Sequence, residues 1–260
     1  MHRRMPRDFH LALGWNKILV MQNAVPAEST TGNSEVLLSE GLVLRTLATR
    51  VDVYTDEVER LLRAGYAVMS RTQSVSPRVS DIVRESGLSN QAFYRHFRSR
   101  DELLLALLAS GRQVLVEYAR HLMAKERSPA GQVRRWVEGI LAQAADVRAA
   151  DATRPFARNR LYLASQFPEE VQRADDELRA LVLPALSAGK ATGGWPAVQP
   201  EKDSQALYQL AMGTMQAWLL AEFKPTEADI THIVQFALAG LDRGRRTGAR
   251  REKGGPWSES

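Results

Sequence analysis

The sequence contains no cysteine among its 260 residues. Disulfides, cysteine-ligated zinc, iron–sulfur clusters and thiol catalysis are therefore excluded. No run of about 18 apolar residues is present, so no segment is expected to span a membrane. Strand-like alternation of apolar and polar residues is also missing, as is any repeat of fixed period. These absences favour an all-α globular protein, and the lack of cysteine fits a reducing cytoplasm.

Signatures of catalysis are equally scarce. The five histidines, at positions 2, 10, 96, 121 and 232, show no metal-binding spacing, and there is no phosphate-binding glycine loop or nucleophile elbow. Two acidic pairs, Glu169–Glu170 and Asp175–Asp176, fall on a helix that looks exposed, where solvation accounts for them. We therefore predict that the protein is not an enzyme and needs no metal or other cofactor.

The positive charge is concentrated in two places. Residues 71–100 contain six arginines and two acids, and residues 243–260 contain six basic residues and two acids, whereas residues 101–242 carry 15 bases and 18 acids. A basic block of this kind fits a polyanionic partner such as nucleic acid, although a solvated face would have the same composition.

The two ends of the chain differ from the rest. Residues 1–52 include a linker-like stretch rich in Pro, Ser, Thr and Gly, and we interpret them as a flexible extension. A signal peptide fits this segment poorly because Lys17 interrupts its apolar stretch. The basic tail, 244–260, is expected to be disordered and to add salt-sensitive affinity for DNA. The tail has no amphipathic apolar face, so a role at a membrane is not expected.

Helical periodicity runs from Thr55 to Leu241. Thr55 is expected to cap the first helix, and capping boxes are expected at Ser99/Glu102 and Thr226/Asp229. The buried stripe of the first helix is predicted to be Val58, Leu61, Leu62, Gly65 and Met69. The later helices are predicted at Pro129–Ala149, Asp151–Gln166, Pro168–Ala188, Glu201–Phe223 and Thr226–Leu241, with a loop at Gly189–Pro200.

The most informative segment is Ile82–Leu103, which reads IVRESGLSNQAFYRHFRSRDEL. Gly87 can turn the chain through a positive φ, and Ser89 can cap the helix that follows. Two short helices joined in this way form a helix-turn-helix, whose second helix enters the DNA major groove. The predicted inner face of this unit consists of Ile82, Val83, Leu88, Ala92, Phe93 and Phe97.

The side chains left outside on the second helix suit DNA. Asn90 and Gln91 can bind adenine edges, and Arg95 can bind guanine. Tyr94, His96, Arg98 and Arg100 suit phosphate oxygens, which set register without reading sequence. The full set predicted to contact DNA is Arg78, Ser89, Asn90, Gln91, Tyr94, Arg95, His96, Arg98 and Arg100.

This segment resembles the TetR family of bacterial transcription regulators. The matching positions are Ile82, Gly87, Ser89, Tyr94, His96, Phe97 and Leu103, while Arg100 stands where the family usually has lysine. The close resemblance covers residues 55–108. It implies a three-helix helix-turn-helix domain at 53–100 and a helical domain at 101–243 for ligand binding and dimerisation.

The resemblance also implies an interface and a pocket in the larger domain. Its last two helices would dimerise through Leu207, Leu210, Ala211, Thr214, Trp218, Ile233, Phe236, Ala237 and Gly240, although these residues could equally be internal core. Candidates for the pocket are Trp136, Ile140, Phe156, Arg160, Tyr162, Met212 and Met215, and an ordinary core explains this apolar pattern as well.

The functional hypothesis is a one-component transcription regulator. It would bind a palindromic DNA operator as a homodimer, act as a repressor and be released by a small apolar or amphipathic effector, with no role at a membrane. The alternative is a helical small-molecule-binding protein or enzyme without sequence-specific DNA binding. A buried pair of titrating groups in the large domain would favour that alternative, and the sequence shows none.

Overall fold

The computed structural model describes residues 54–242. The predicted extension at 1–52 and the basic tail at 244–260 lie outside the described residues. Within residues 54–242 every regular element is a helix. The all-α prediction is therefore confirmed.

The chain divides into two compact units. The described part of the first unit comprises residues 54–72 and 76–107, and that of the second comprises residues 73–75 and 108–242. Helix α1 covers residues 54–72, α2 is Val79–Ser86 and α3 is Asn90–His96. Helix α4, Arg100–Met123, begins in the first unit and continues into the second.

The first unit is held together by the predicted stripe of α1. Val58, Leu61, Leu62 and Met69 are at most 6% exposed. Gly65 lets α1 approach α4 closely, because a Cβ at this position would lie 2.9 Å from Leu107 Cδ1. Thr55 is not a helix cap, since residue 54 is already helical and Thr55 lies inside α1.

The second unit is built around one central helix. Its elements are α5 (Pro129–Ala145), α6 (Val147–Arg158), α7 (Arg160–Gln166), α8 (Pro168–Ala180), α9 (Leu183–Ala191), α10 (Pro200–Leu220) and α11 (Glu227–Leu241). Helix α5 packs against α6, α9, α10 and α11. Its inward side chains Val133, Trp136, Val137, Ile140 and Leu141 are fully buried, so α5 forms the middle of this core.

Three predicted helices, from Pro129 to Ala188, correspond to five helices in the structure. Asp146 ends α5 and caps α6, because its carboxylate accepts the Ala149 N–H at 2.9 Å. Asn159 separates α6 from α7. Pro184 explains the break after α8, since proline lacks an N–H and its ring clashes with the carbonyl four residues earlier. Helix α9 extends to Ala191, into the predicted loop.

Candidate nucleic-acid interface and ligand cavity

The turn between α2 and α3 has the predicted geometry. Gly87 ends α2 with φ +66°, a left-handed conformation that favours glycine. Ser89 caps α3, and its Oγ accepts the Ala92 N–H at 3.1 Å. The Arg60 guanidinium of α1 donates to the Ser86 carbonyl at 2.9 Å, which ties the end of α2 to α1. These contacts hold α3 as a rigid helix on the first unit.

Helix α3 has one buried face and one exposed face. Ala92 and Phe93 point into the core, and Phe93 is fully buried. Asn90, Gln91 and Tyr94 are exposed, with Tyr94 at 58%. Hydrogen-bonding side chains therefore stand outward on a helix whose other side is anchored by an aromatic ring.

His96 is not on the exposed face, and its predicted phosphate contact is wrong for this geometry. Its side chain is fully buried, and Nε2 lies 2.5 Å from Glu57 Oε2. The cause is helical spacing, because a residue three positions after buried Phe93 turns back toward the core. Its Nδ1 is buried without a hydrogen-bond partner among the described residues. His96 therefore positions α3 against α1.

Arg95 shares the same carboxylate. Its Nη2 lies 2.7 and 2.8 Å from the two oxygens of Glu57, yet its side chain remains 55% exposed. Hydrogen bonding from His96, opposed by burial and aided by Arg95, holds the pKa of Glu57 below its ordinary value. Because Arg95 is both paired and exposed, it can contact DNA only by sharing or leaving Glu57.

Further arginines flank α3. Arg78 precedes α2 and is exposed, as is Arg98. Arg100 begins α4, is 40% exposed and lies 3.3 Å from Asp101. The predicted capping box at Ser99 is only half formed. Ser99 Oγ accepts the Glu102 N–H, but the Glu102 carboxylate accepts the backbone N–H of Arg98 instead of that of Ser99.

The second unit contains a small cavity of about 60 Å³. Four of the predicted pocket residues line it, namely Phe156, Arg160, Met212 and Met215. The other lining residues are Leu108, Arg112, Thr153, Ala157, Leu163, Val171, Ala174 and Gln216. The wall is mostly apolar, with two arginines as its charged members.

Three predicted pocket residues lie elsewhere. Trp136 and Ile140 are fully buried in the core of α5, and the Trp136 Nε1–H donates to the Leu178 carbonyl at 2.9 Å. Tyr162 is 38% exposed and does not line the cavity. Helical periodicity identified apolar residues correctly, but it could not separate those that fill the core from those that surround a void.

Sequence reasoning missed most of a polar cluster beside the cavity. Arg112, Asp175 and Tyr208 lie together with the predicted Arg160, and of these four only the two arginines line the cavity. Asp175 is 15% exposed, so its placement on a solvated face was wrong. The three missed residues come from three different helices, and no local spacing connects them. The one available signal of this cluster was Arg112, which stands among the apolar residues of α4.

The predicted dimer residues fall into two groups. Leu207, Ala211 and Ala237 are at most 5% exposed and belong to the unit's own core, so they are not available to a partner. The remaining six are partly or fully exposed: Leu210, Thr214, Trp218, Ile233, Phe236 and Gly240. Phe236 is 65% exposed. The capping box at Thr226 and Asp229, which opens α11, is confirmed.

Residues 54–242 lack both a membrane-spanning helix and a cluster of metal-ligating side chains. No helix in this part of the chain is long and apolar enough to cross a membrane. The same residues contain no group of three or more metal-ligating side chains.

Part of the first unit is similar in sequence to a known protein family. Residues 77–107 match the model of the bacterial regulatory proteins, tetR family. No curated protein matches the chain in sequence.

Solved structures share the fold at low identity. FadR from Bacillus subtilis, in complex with stearoyl-CoA, is 13% identical at a TM-score of 0.56, over 72% of this chain and 98% of that one. A TetR transcription regulator from Haloarcula marismortui is 16% identical at a TM-score of 0.61, and the match covers 73% of this chain and 98% of that one. Salmonella enterica GusR is 19% identical at a TM-score of 0.58, and the match covers 72% of this chain and 95% of that one. Residues 77–107 are thus similar to the tetR family of bacterial regulatory proteins, and the chain shares its fold with the solved structures.

Proposed function

We propose that the protein is a DNA-binding, one-component transcription regulator that acts as a homodimeric repressor. The observation that carries the proposal is the exposed polar face of α3, backed by buried Phe93. A rigid helix of this kind can enter the major groove, where base edges present distinct donor and acceptor patterns. Such a regulator would act in the cytoplasm, where its operator lies.

The exposed residues divide by chemistry. Asn90 and Gln91 can read adenine, and Arg95 can read guanine once it leaves or shares Glu57. Tyr94, Arg98 and Arg100 can bind phosphates, as can Arg78, which precedes α2. Ser89 contributes through its cap, since its hydroxyl already accepts the Ala92 N–H. His96 has no direct role in this scheme.

A dimer would place two copies of α3 on one operator. Single helix-turn-helix modules read few base pairs, so two-fold dimers bind paired half-sites one helical turn apart. Apolar side chains stay exposed at the end of the second unit, with Leu220 at 51%, Phe223 at 46% and Phe236 at 65%. Exposed apolar patches are typical of interaction surfaces. These residues, with Leu210 and Gly240, support a homodimer interface across α10 and α11.

An effector would control the regulator from the cavity of the second unit. The B. subtilis FadR structure contains stearoyl-CoA, so a protein of this fold can hold an acyl ligand. The cavity here is mostly apolar, which fits an apolar or amphipathic molecule. The effector would release DNA to the extent that it binds the free state more tightly than the DNA-bound state.

The test is binding of the full chain to DNA from its own promoter, measured at several salt concentrations. We expect a steep loss of affinity with salt and a clear preference over random DNA. Tyr94→Ala and Arg100→Ala should weaken binding to every sequence, whereas Gln91→Ala should change sequence preference. Arg148→Ala, an exposed arginine of the second unit, is the matched control and should change neither.

Three outcomes would contradict the proposal. Binding that falls little with salt and ignores sequence would favour a helical small-molecule-binding protein instead. Unchanged binding in all three α3 and α4 variants would show that this face does not meet DNA. A strict monomer by gel filtration would contradict binding of a homodimer to a two-fold operator.

A further inference from the structure

Four charged or polar side chains from four helices meet beside the cavity of the second unit. Arg112 of α4 lies 3.0 Å from Asp175 Oδ1, and Arg160 of α7 lies 2.9 Å from Asp175 Oδ2. Tyr208 of α10 is close enough to Asp175 and Arg160 to interact with both electrostatically. One carboxylate of α8 is thus shared by two guanidiniums.

The cluster contains a donor without an acceptor. Arg112 Nη1 is buried and has no hydrogen-bond partner among the described residues, and the Arg112 side chain is only 10% exposed. The Tyr208 hydroxyl, by contrast, interacts with Asp175 and Arg160, and burial raises the pKa of Tyr208 to about 12. A buried donor such as Arg112 Nη1 is costly unless something accepts from it.

The charge of the cluster points the same way. Two guanidiniums and one carboxylate leave an excess of one positive charge, with the Arg112 side chain 10% exposed and that of Arg160 34% exposed. A purely structural ion pair would need one arginine, and a second unmatched guanidinium carries a desolvation penalty. An anion beside Arg112 would neutralise the excess and accept from the unpaired Nη1.

The cavity provides room at this position. Arg112 and Arg160 both line it, while the rest of its wall includes Phe156, Leu163 and Met212. A volume of about 60 Å³ admits an acidic head group but not a long chain. A longer tail would require rearrangement of flexible side chains such as Met212 and Met215.

We infer that Arg112 and Arg160 form an anion-binding subsite for an effector that has a carboxylate or phosphate head and an apolar tail. The regulatory role of this ligand rests on the proposed function, whereas anion binding itself does not. Guanidiniums bind both head groups in a bidentate, charge-assisted manner. Asp175 pairs with both arginines and therefore competes with a second anion.

The experiment is calorimetric titration of the full chain with octanoate, octyl phosphate and 1-octanol, which share a tail and differ in the head. We expect the two anions to bind and the alcohol to bind at least tenfold more weakly, or not at all. Stronger binding of octyl phosphate would identify a phosphate head, and stronger binding of octanoate a carboxylate head.

Variants test the named residues. Arg112→Met should weaken octanoate binding tenfold or more, because a charge-assisted hydrogen bond is lost. Arg120→Met is the matched control, since Arg120 is an exposed arginine of the same helix, and it should leave binding unchanged. Asp175→Asn should strengthen anion binding, because it removes the competing carboxylate. A misfolded variant could not produce that increase.

Equal binding of octanol and octanoate to the unaltered chain would overturn the inference without recourse to any variant. Weaker octanoate binding in Asp175→Asn, with helical circular dichroism preserved, would also overturn it. Specific DNA binding without anion binding would refute only this inference. Anion binding that depends on Arg112, in a chain that ignores operator DNA, would refute the proposed function and leave the subsite standing.

Discussion

The two units of the chain use polar residues in opposite ways. The first unit exposes Gln91 and Tyr94 on α3 and buries His96 and most of Glu57 beneath them. The second unit keeps the charged cluster of Arg112 and Asp175 inside. A DNA-reading surface must be accessible, whereas a small-molecule site gains selectivity and strength from exclusion of water. Burial of a polar residue therefore has a different meaning in each unit: it indicates support of the fold in the first and a candidate ligand site in the second.

Adjacent residues of α3 provide the largest contrast. Phe93→Ala should lower the free energy of unfolding by about 3–5 kcal/mol, because it leaves a cavity at a fully buried site. Tyr94→Ala should change it by no more than about 0.5 kcal/mol, since Tyr94 is 58% exposed, while still weakening DNA binding. Urea unfolding of both variants checks this. Similar losses of stability would show that Tyr94 supports the fold.

The first unit was predictable from sequence because its signals are local. Gly87, Ser89 and the stripe from Val58 to Met69 lie within short windows and obey helical spacing. The spacing of His96 from buried Phe93 was a local signal for its burial, but its partner, Glu57, is 39 residues away and could not be identified from the sequence. The helix-turn-helix was thus predictable as a pattern, while the pairing that positions it was not.

The cavity was only partly predictable. Phe156, Met212 and Met215 were recognised as apolar residues on helices, and they do line the void. Trp136 looked equivalent in sequence but fills the core, because tertiary packing decides which apolar residue faces a gap. The Arg112–Asp175 pair joins residues 63 apart, a separation that helical periodicity cannot report.

Trp136 tests the buried polar contacts of the second unit that do not belong to the anion subsite. Trp136→Phe should lower the free energy of unfolding by about 1–3 kcal/mol, because it removes the donor to the Leu178 carbonyl and leaves that acceptor unsatisfied in the core. Thermal and urea unfolding would measure the loss. Octanoate affinity should not change, and a parallel loss of affinity would extend the subsite into the core of α5.

Glu57 tests the buried pairing of the first unit. Its folded pKa lies below the ordinary value of 4.5, mainly through the hydrogen bond with His96. The carboxylate therefore stabilises the fold above about pH 4.5 and loses this effect as the pH falls through the folded pKa. Glu57→Gln should cost about 1–2 kcal/mol at pH 7 and flatten the decline in stability as the pH falls below about 4.5. An unchanged pH profile would show that the pairing contributes nothing.

The smallest expected effect concerns α11, the last helix before the end of the described chain. Thr226→Ala removes one half of a reciprocal capping box and should cost about 1 kcal/mol. Thr231→Ala, at an exposed position inside the same helix, is the matched control and should be neutral or slightly stabilising, since alanine is the better helix former. If exposed Phe236 pairs with a second copy of the chain, fraying at Thr226 should also weaken dimerisation, which sedimentation at several concentrations would detect. A loss of helix stability with an unchanged dimer constant would place the interface on α10 alone.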